Sequence, residues 1–147
     1  MTGTAELNAT ARVRQLIDLT ERLIASLGAE AKAFEAHRPQ DAAVSLAGTQ
    51  DLANAYRRES AQVKAPPEVL AAAPASERAA LVRVTEAFEA MLSRHSRAIE
   101  AARIISEGLV KTIAAEVTAQ RGSPSAYGAS GRANAADGRA VAFNRTA

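Results

Sequence analysis

The chain of 147 residues contains no cysteine and no tryptophan, and only 3% of its residues are aromatic. Without cysteine it can form no disulfide, hold no metal through thiolates and perform no thiol chemistry, which is typical of proteins in a reducing compartment. Alanine is its most common residue. The sequence therefore predicts one domain with a modest core built from alanine and aliphatic side chains.

Long apolar segments are also missing. No run approaches the ~18 consecutive apolar residues that suggest a membrane-spanning helix. The N-terminal segment MTGTAELNATARVRQ lacks the apolar stretch of a signal peptide. The sequence therefore predicts a cytoplasmic protein without membrane insertion.

The basic residues are concentrated at one end of the chain. From residue 121 onward four arginines accompany one aspartate, a net charge of +3, while the whole chain carries +2 and residues 1–120 therefore carry −1. A nucleic-acid-binding domain usually carries a stripe of Lys and Arg on its folded body, and a net of three charges gives weak, salt-sensitive binding. We expect no nucleic-acid partner.

Apolar residues recur at steps of three and four in two long segments, which predicts amphipathic helices at about 6–36 and 76–121. Between them a weaker pattern, interrupted by Gly48, predicts a helix over 39–64 with prolines at both boundaries. Its apolar side is predicted to carry Val44, Leu52, Tyr56 and Val63. In the first helix Gly28 has no role that the sequence reveals. These elements predict an all-α fold, an antiparallel three-helix bundle or hairpin with a long C-terminal helix.

The domain organisation follows from a change in composition near residue 121. Residues 1–121 are predicted to form the helical domain. Residues 122–147 begin with Gly-Ser-Pro and are rich in small residues and arginine. Because such a segment has little to bury, we expect a flexible, disordered basic tail.

The last predicted helix is longer than the helix before it. Helices joined by short loops run up, down and up, and at ~1.5 Å per residue the middle helix spans about 38 Å. The long helix then passes the end of the bundle near residues 98–102 and is expected to extend roughly 30 Å beyond it, although the sequence leaves open whether Gly108 bends it. Six large aliphatic residues in this extension are predicted to bind a partner: Ile104, Ile105, Leu109, Val110, Ile113 and Val117.

Exposed apolar surface of this extent usually marks an interaction site. One interpretation is a binding surface for an amphipathic helix of another protein. In the other, the helices bend or the chain pairs with itself as a homodimer, so that the same residues are hidden. The second interpretation describes a self-associating coiled-coil protein of the cytoplasm with a structural or regulatory role.

The sequence shows no arrangement of residues typical of an enzyme. His95 lies on the long helix in line with its apolar residues, but it lacks the Leu-Lys-Gly pattern that follows the histidine of a phosphotransfer domain. We therefore favour a histidine that is partly buried or flanks the apolar stripe. Glu86 and Glu89 are interpreted as part of a solvated face, and neither His95 nor His37 has the spacing of a metal site. The sequence predicts a non-enzymatic protein without a cofactor.

The C-terminal third reads AIEAARIISEGLVKTIAAEV, a short polar link and then Ser-Pro-Ser-Ala-Tyr-Gly at 123–128. It resembles the FlgN-type flagellar export chaperones, and LIDLTERLIASLGAEAKAFEAHRPQDAAVSLAGTQDLANAY is similar to the first hairpin of that family. The resemblance implies a cytoplasmic chaperone that binds the C-terminal helical segments of hook–filament junction proteins and delivers them to the flagellar type III export gate. It implies that the C-terminal helix holds the cargo and that Tyr127 contacts the gate.

Overall fold

The computed structural model describes the backbone of residues 2–125 and the side-chain burial of residues 3–122. Four α-helices follow one another: α1 (Thr2–Glu35), α2 (Pro39–Lys64), α3 (Pro67–Ala72) and α4 (Ala75–Ser125). No strand occurs in this part of the chain, which confirms the prediction of an all-α fold with a long C-terminal helix. None of these helices is both long enough and apolar enough to cross a membrane.

The first 102 residues form one compact unit, and the order of its contacts gives the directions of the helices. Two ion pairs join α1 to α4, Arg14 with Glu77 and Glu35 with Arg94. Because the partners follow the same order along both helices, α1 and α4 run parallel. The short turn after α1 reverses the chain, so α2 runs antiparallel to both and the unit has an up-down-up arrangement.

The core of this unit is aliphatic, as the composition requires. One contiguous buried cluster includes Val13, Leu16, Val63, Leu81 and Val84. Burying each large side chain contributes about 1.5–3 kcal/mol to stability. Tyr56 of α2 packs on Phe88 of α4 with ring centroids 5.0 Å apart, so an aromatic contact joins these two helices.

Gly28 lies where α1 approaches α4. A Cβ atom at this position would be 3.2 Å from Cε of Met91, which is closer than ordinary van der Waals contact. The missing side chain therefore lets the two helices come together at Met91, a packing role that the sequence alone did not reveal.

Two helices are longer than the sequence predicted. α1 begins at Thr2 rather than near residue 6, and because the side chains of residues 3–8 are exposed, its first turns are held by backbone hydrogen bonds. α4 continues to Ser125 instead of ending at residue 121. A glycine ends a helix by adopting a positive φ, and no described glycine does so, so Gly122 continues the helix. Residues 126–147, the remainder of the predicted tail, lie outside the described residues.

The inward face of α2 also differs from the prediction. Val44, which was expected on the buried side, is 87% exposed. The helix instead turns Ser45 and Thr49 inward, where their hydroxyl groups donate to the carboxylate of Glu30 on α1. The prediction is right at Val63, which is fully buried, but near the start of α2 two hydroxyl residues face α1 instead of Val44.

The second unit begins at Arg103, and its described part is the C-terminal segment of α4. The helix is continuous through Gly108, so this glycine does not interrupt it. Every side chain described from residue 103 to residue 122 is exposed.

Candidate functional site

The apolar residues of α4 change from buried to exposed after residue 102. Leu81, Val84 and Ala98 are buried in the first unit. Ile105 and Leu109 continue the same steps of three and four residues, yet they are 51% and 59% exposed. The spacing therefore persists along the helix while the burial does not.

All six residues that the sequence predicted to bind cargo are exposed in the structure. Their exposed fractions lie between 40% and 65%, far above those of the aliphatic residues in the core. The residues are Ile104, Ile105, Leu109, Val110, Ile113 and Val117.

Five of these six residues share one side of the helix. Each residue of an α-helix advances about 100° around the axis, so Ile105 and Ile113 lie about 40° on either side of Leu109. Val117 and Val110 lie about 80° and 100° from Leu109, on the side of Ile113. We call these five residues the apolar face of α4.

Ile104 lies apart from this face. Its position is about 140° around the axis from Leu109, on the side away from Val110. Although it is 58% exposed, a partner that covers Leu109 need not touch it. The structure therefore brings five of the predicted residues together and separates the sixth.

The charged residues of this segment lie mostly behind the apolar face. Glu107 and Lys111 are each about 160° from Leu109, and Glu107 accepts a hydrogen bond of 2.7 Å from Arg103 in an i,i+4 ion pair. Glu116 is about 20° from Leu109 and interrupts the face toward its C-terminal end. A partner seated between residues 105 and 113 would therefore meet aliphatic side chains and Ser106, which lies about 60° from Leu109, but no charge.

A buried polar cluster lies inside the first unit, and the sequence analysis missed it. Although a glutamate is seldom buried, Glu30 is 2% exposed. Its carboxylate accepts hydrogen bonds from Thr49 at 3.0 Å and Ser45 at 3.2 Å and lies 2.9 Å from Nε2 of His95. The hydroxyl of Ser26 bonds in turn to that of Thr49.

This cluster joins α1, α2 and α4. A buried carboxylate is tolerated when its oxygens are hydrogen-bonded, and no buried side-chain polar atom among the described residues lacks a partner. The expectation of a partly buried His95 is confirmed, since its side chain is 16% exposed and its Nε2 is paired with Glu30. The available signal was the pair of hydroxyl residues, Ser45 and Thr49, four positions apart on α2.

Two ion pairs at the surface of the first unit shift the titration of their partners. Arg94 donates hydrogen bonds of 2.9 Å to both carboxylate oxygens of Glu35, and these bonds lower the pKa of Glu35 below its ordinary value and raise that of Arg94. The hydrogen bond from Arg14 to Glu77 likewise raises the pKa of Arg14. Exposed pairs of this kind contribute little to stability, so they do not define a reactive site. No described group of three acidic or histidine side chains could hold a metal ion.

The fold and the surface define a class: an all-helical protein whose long C-terminal helix carries an uncovered apolar face. The chain is 48% identical over 146 residues to the flagellar basal-body protein FlbY of Caulobacter vibrioides, and the alignment covers 97% of this chain and 98% of that relative. The chain therefore belongs to the family of FlbY. No family model matches it, and no solved structure matches it.

This relationship agrees with the flagellar character that the sequence resemblance implied. The name of the relative places that protein in the flagellar basal body and does not describe a chaperone, so the FlgN-type chaperone activity stays a prediction. Tyr127, the predicted contact with the export gate, lies outside the described residues and stays a prediction.

Proposed function

We propose that this protein is a cytoplasmic flagellar export chaperone that binds the C-terminal helical segments of hook–filament junction proteins and delivers them to the type III export gate. The observation that supports the proposal is the apolar face of α4, exposed in a chain that belongs to a flagellar family. A protein that binds the apolar side of a cargo helix needs an exposed aliphatic surface, and the apolar face of α4 provides one.

The proposed mechanism is binding without covalent chemistry or a cofactor. An amphipathic cargo segment would place its own apolar residues against Ile105, Leu109 and Ile113. The face extends about 140° from Ile105 to Val110, which is wider than a two-helix seam and suits packing in a bundle. Burial of these side chains stabilises the complex, while ordering of a flexible cargo segment opposes it. The resulting moderate affinity allows the cargo to be released at the gate.

A calorimetric titration with the C-terminal segments of junction proteins from the same organism tests this proposal. We expect saturable binding with a negative heat-capacity change, as apolar burial requires. The double variant Ile105→Asp/Leu109→Asp should abolish binding. The control is Ile104→Asp, which introduces one aspartate on the same segment about 140° around the axis from Leu109 and should leave binding nearly unchanged.

The fold of each variant is checked by circular dichroism. If both variants remain helical and both bind like the natural chain, the apolar face is not the cargo site. If no junction-protein segment binds the natural chain, the chaperone function itself is wrong.

Delivery to the gate is proposed to depend on the segment with Tyr127. Because α4 continues to Ser125, deleting residues 126–147 removes Tyr127 and leaves the whole helix. This deletion therefore separates delivery to the gate from cargo binding. We expect the shortened chain to bind cargo with nearly unchanged affinity and to export less of it. Loss of cargo binding in the shortened chain would contradict this division of roles.

A second candidate function is self-association, in which another copy covers the apolar face in a coiled-coil homodimer. The lack of charge between residues 105 and 113 of this face supports this candidate equally well. Light scattering over a range of concentrations distinguishes the two, because a chaperone with a free cargo site is expected to be monomeric. A dimer that Leu109→Asp dissociates would favour self-association.

A further inference from the structure

An apolar groove lies within the first unit, where the end of α2, α3 and the beginning of α4 meet. It has a volume of about 410 Å³, and its apolar walls come from Leu70, Leu81 and Val82. Val82 is 57% exposed, so no neighbouring helix of the unit covers it. The groove is therefore open to the surface, where a partner can reach it.

Charged side chains along α4 border this groove: Arg78, Glu86 and Glu89. None of the three takes part in an ion pair among the described residues. The neighbouring Glu77, in contrast, accepts from Arg14 at 2.7 Å. A fourth charged residue, Lys64, has its Nζ 6.0 Å from the ring centroid of Tyr56, a contact within the unit.

The spacing of these charges gives the size of the partner. Glu86 and Glu89 follow Arg78 by about 12 Å and 16 Å along the helix axis. Three turns of a helix span this distance, so the charges match a helical partner whose own charged residues lie two to three turns apart. The two carboxylates are one turn apart, so one basic cluster on the partner would meet both.

We propose that this groove is a second docking site, distinct from the apolar face of α4, and that it binds an amphipathic helix with basic residues along one edge. The apolar side of the partner would fill the groove over Leu70 and Val82. Its basic residues would lie against Glu86 and Glu89, and an acidic residue two to three turns away would meet Arg78. The exposed aliphatic surface favours association, and the charges select which helix binds.

Two synthetic peptides of 18 residues test the proposal. Both carry the same leucine stripe; the first has two lysines near one end and a glutamate two to three turns away, and in the second the lysines are replaced by glutamates. Titration is followed by the chemical shifts of amides in residues 64–89. We expect the first peptide to bind at least about fivefold more tightly than the second, as two exposed ion pairs allow.

The double variant Glu86→Lys/Glu89→Lys should reverse this preference. The matched control, Glu6→Lys/Glu21→Lys, makes the same change in net charge at exposed positions on α1 that do not line the groove, and it should keep the preference of the natural chain. Val82→Asp should weaken the binding of both peptides. It should not unfold the chain, because this side chain is already exposed.

Three outcomes would overturn the proposal. The first is that neither peptide binds. The second is that both peptides bind equally and that the charge reversal has no effect. The third is concentration-dependent self-association that Val82→Asp removes, which would make a second copy the occupant. Leu109→Asp should not affect any of these measurements, so the result is independent of the chaperone function proposed above.

Discussion

The two parts of α4, before and after residue 102, have the same spacing of apolar residues and opposite burial. In the first part Leu81 and Val84 lie in the core, and in the second Ile105 and Leu109 are half exposed. The spacing of apolar residues shows which side of a helix will be buried. It does not show whether this chain or a partner buries it.

The largest difference is expected between two leucines of the same helix. Leu81→Ala should lower the free energy of unfolding by about 2–5 kcal/mol, because it removes packed atoms and leaves a cavity. Leu109→Ala should change it by less than about 0.5 kcal/mol, as for other exposed positions. Urea unfolding followed by circular dichroism measures both. Equal losses would show that the apolar face of α4 is already covered, for instance by a second copy.

A smaller difference is expected between two glutamates. Glu30→Ala should cost about 1–3 kcal/mol, since Ser45, Thr49 and His95 lose their common partner inside the unit. Glu107→Ala removes an exposed i,i+4 pair and should cost about 0.3–0.5 kcal/mol. The same unfolding measurement applies. A negligible effect of Glu30→Ala would mean that water replaces the carboxylate and that the cluster is not sealed.

Replacing two glycines by alanine is expected to stabilise the chain by different amounts. Gly108→Ala should stabilise the local helix by about 1 kcal/mol, because no atom lies within 4 Å of the added Cβ. Gly28→Ala should raise stability by less, because the added Cβ would lie 3.2 Å from Cε of Met91. Hydrogen exchange of the amides around each position reports the local change. A larger gain at Gly28 than at Gly108 would show that Met91 moves aside without loss.

The smallest effect is expected at the ion pair between α1 and α4. Because the hydrogen bonds from Arg94 lower the pKa of folded Glu35, their contribution is present above the ordinary glutamate pKa and is lost as pH falls through the lowered value. Arg94→Gln should return the pKa of Glu35 toward its ordinary value. A carboxyl-carbon NMR titration measures this, and an unchanged midpoint would contradict the pairing.

Much of the fold could be predicted because its signals are local. Proline at the start of α2 and prolines after its end mark its boundaries, and the steps of three and four residues identify the buried side of α1. The burial of Glu30 could not be predicted in this way, because it depends on hydroxyl groups that α2 brings across from another part of the chain. The end of α4 was misplaced because glycine and proline lower helix propensity without forbidding the helix.

The candidate site was predictable to a similar degree. Residue type identified the six exposed aliphatics, but only their angles around the helix separate Ile104 from the other five. What covers the face could not be predicted, because that depends on the surface of another molecule.

The absence of tryptophan gives the chain a simple optical signature. Among the described residues Tyr56 is the only strong near-ultraviolet chromophore, and it lies against Phe88 between α2 and α4. In a Tyr127→Phe variant its absorbance and emission therefore monitor the first unit, because Tyr127 would otherwise add a second tyrosine signal. A tryptophan introduced at Val110 would emit without background from any other indole, and its spectrum would move to shorter wavelength when a partner displaces water from it. One sample could thus report the integrity of the bundle and the occupancy of the apolar face at separate wavelengths.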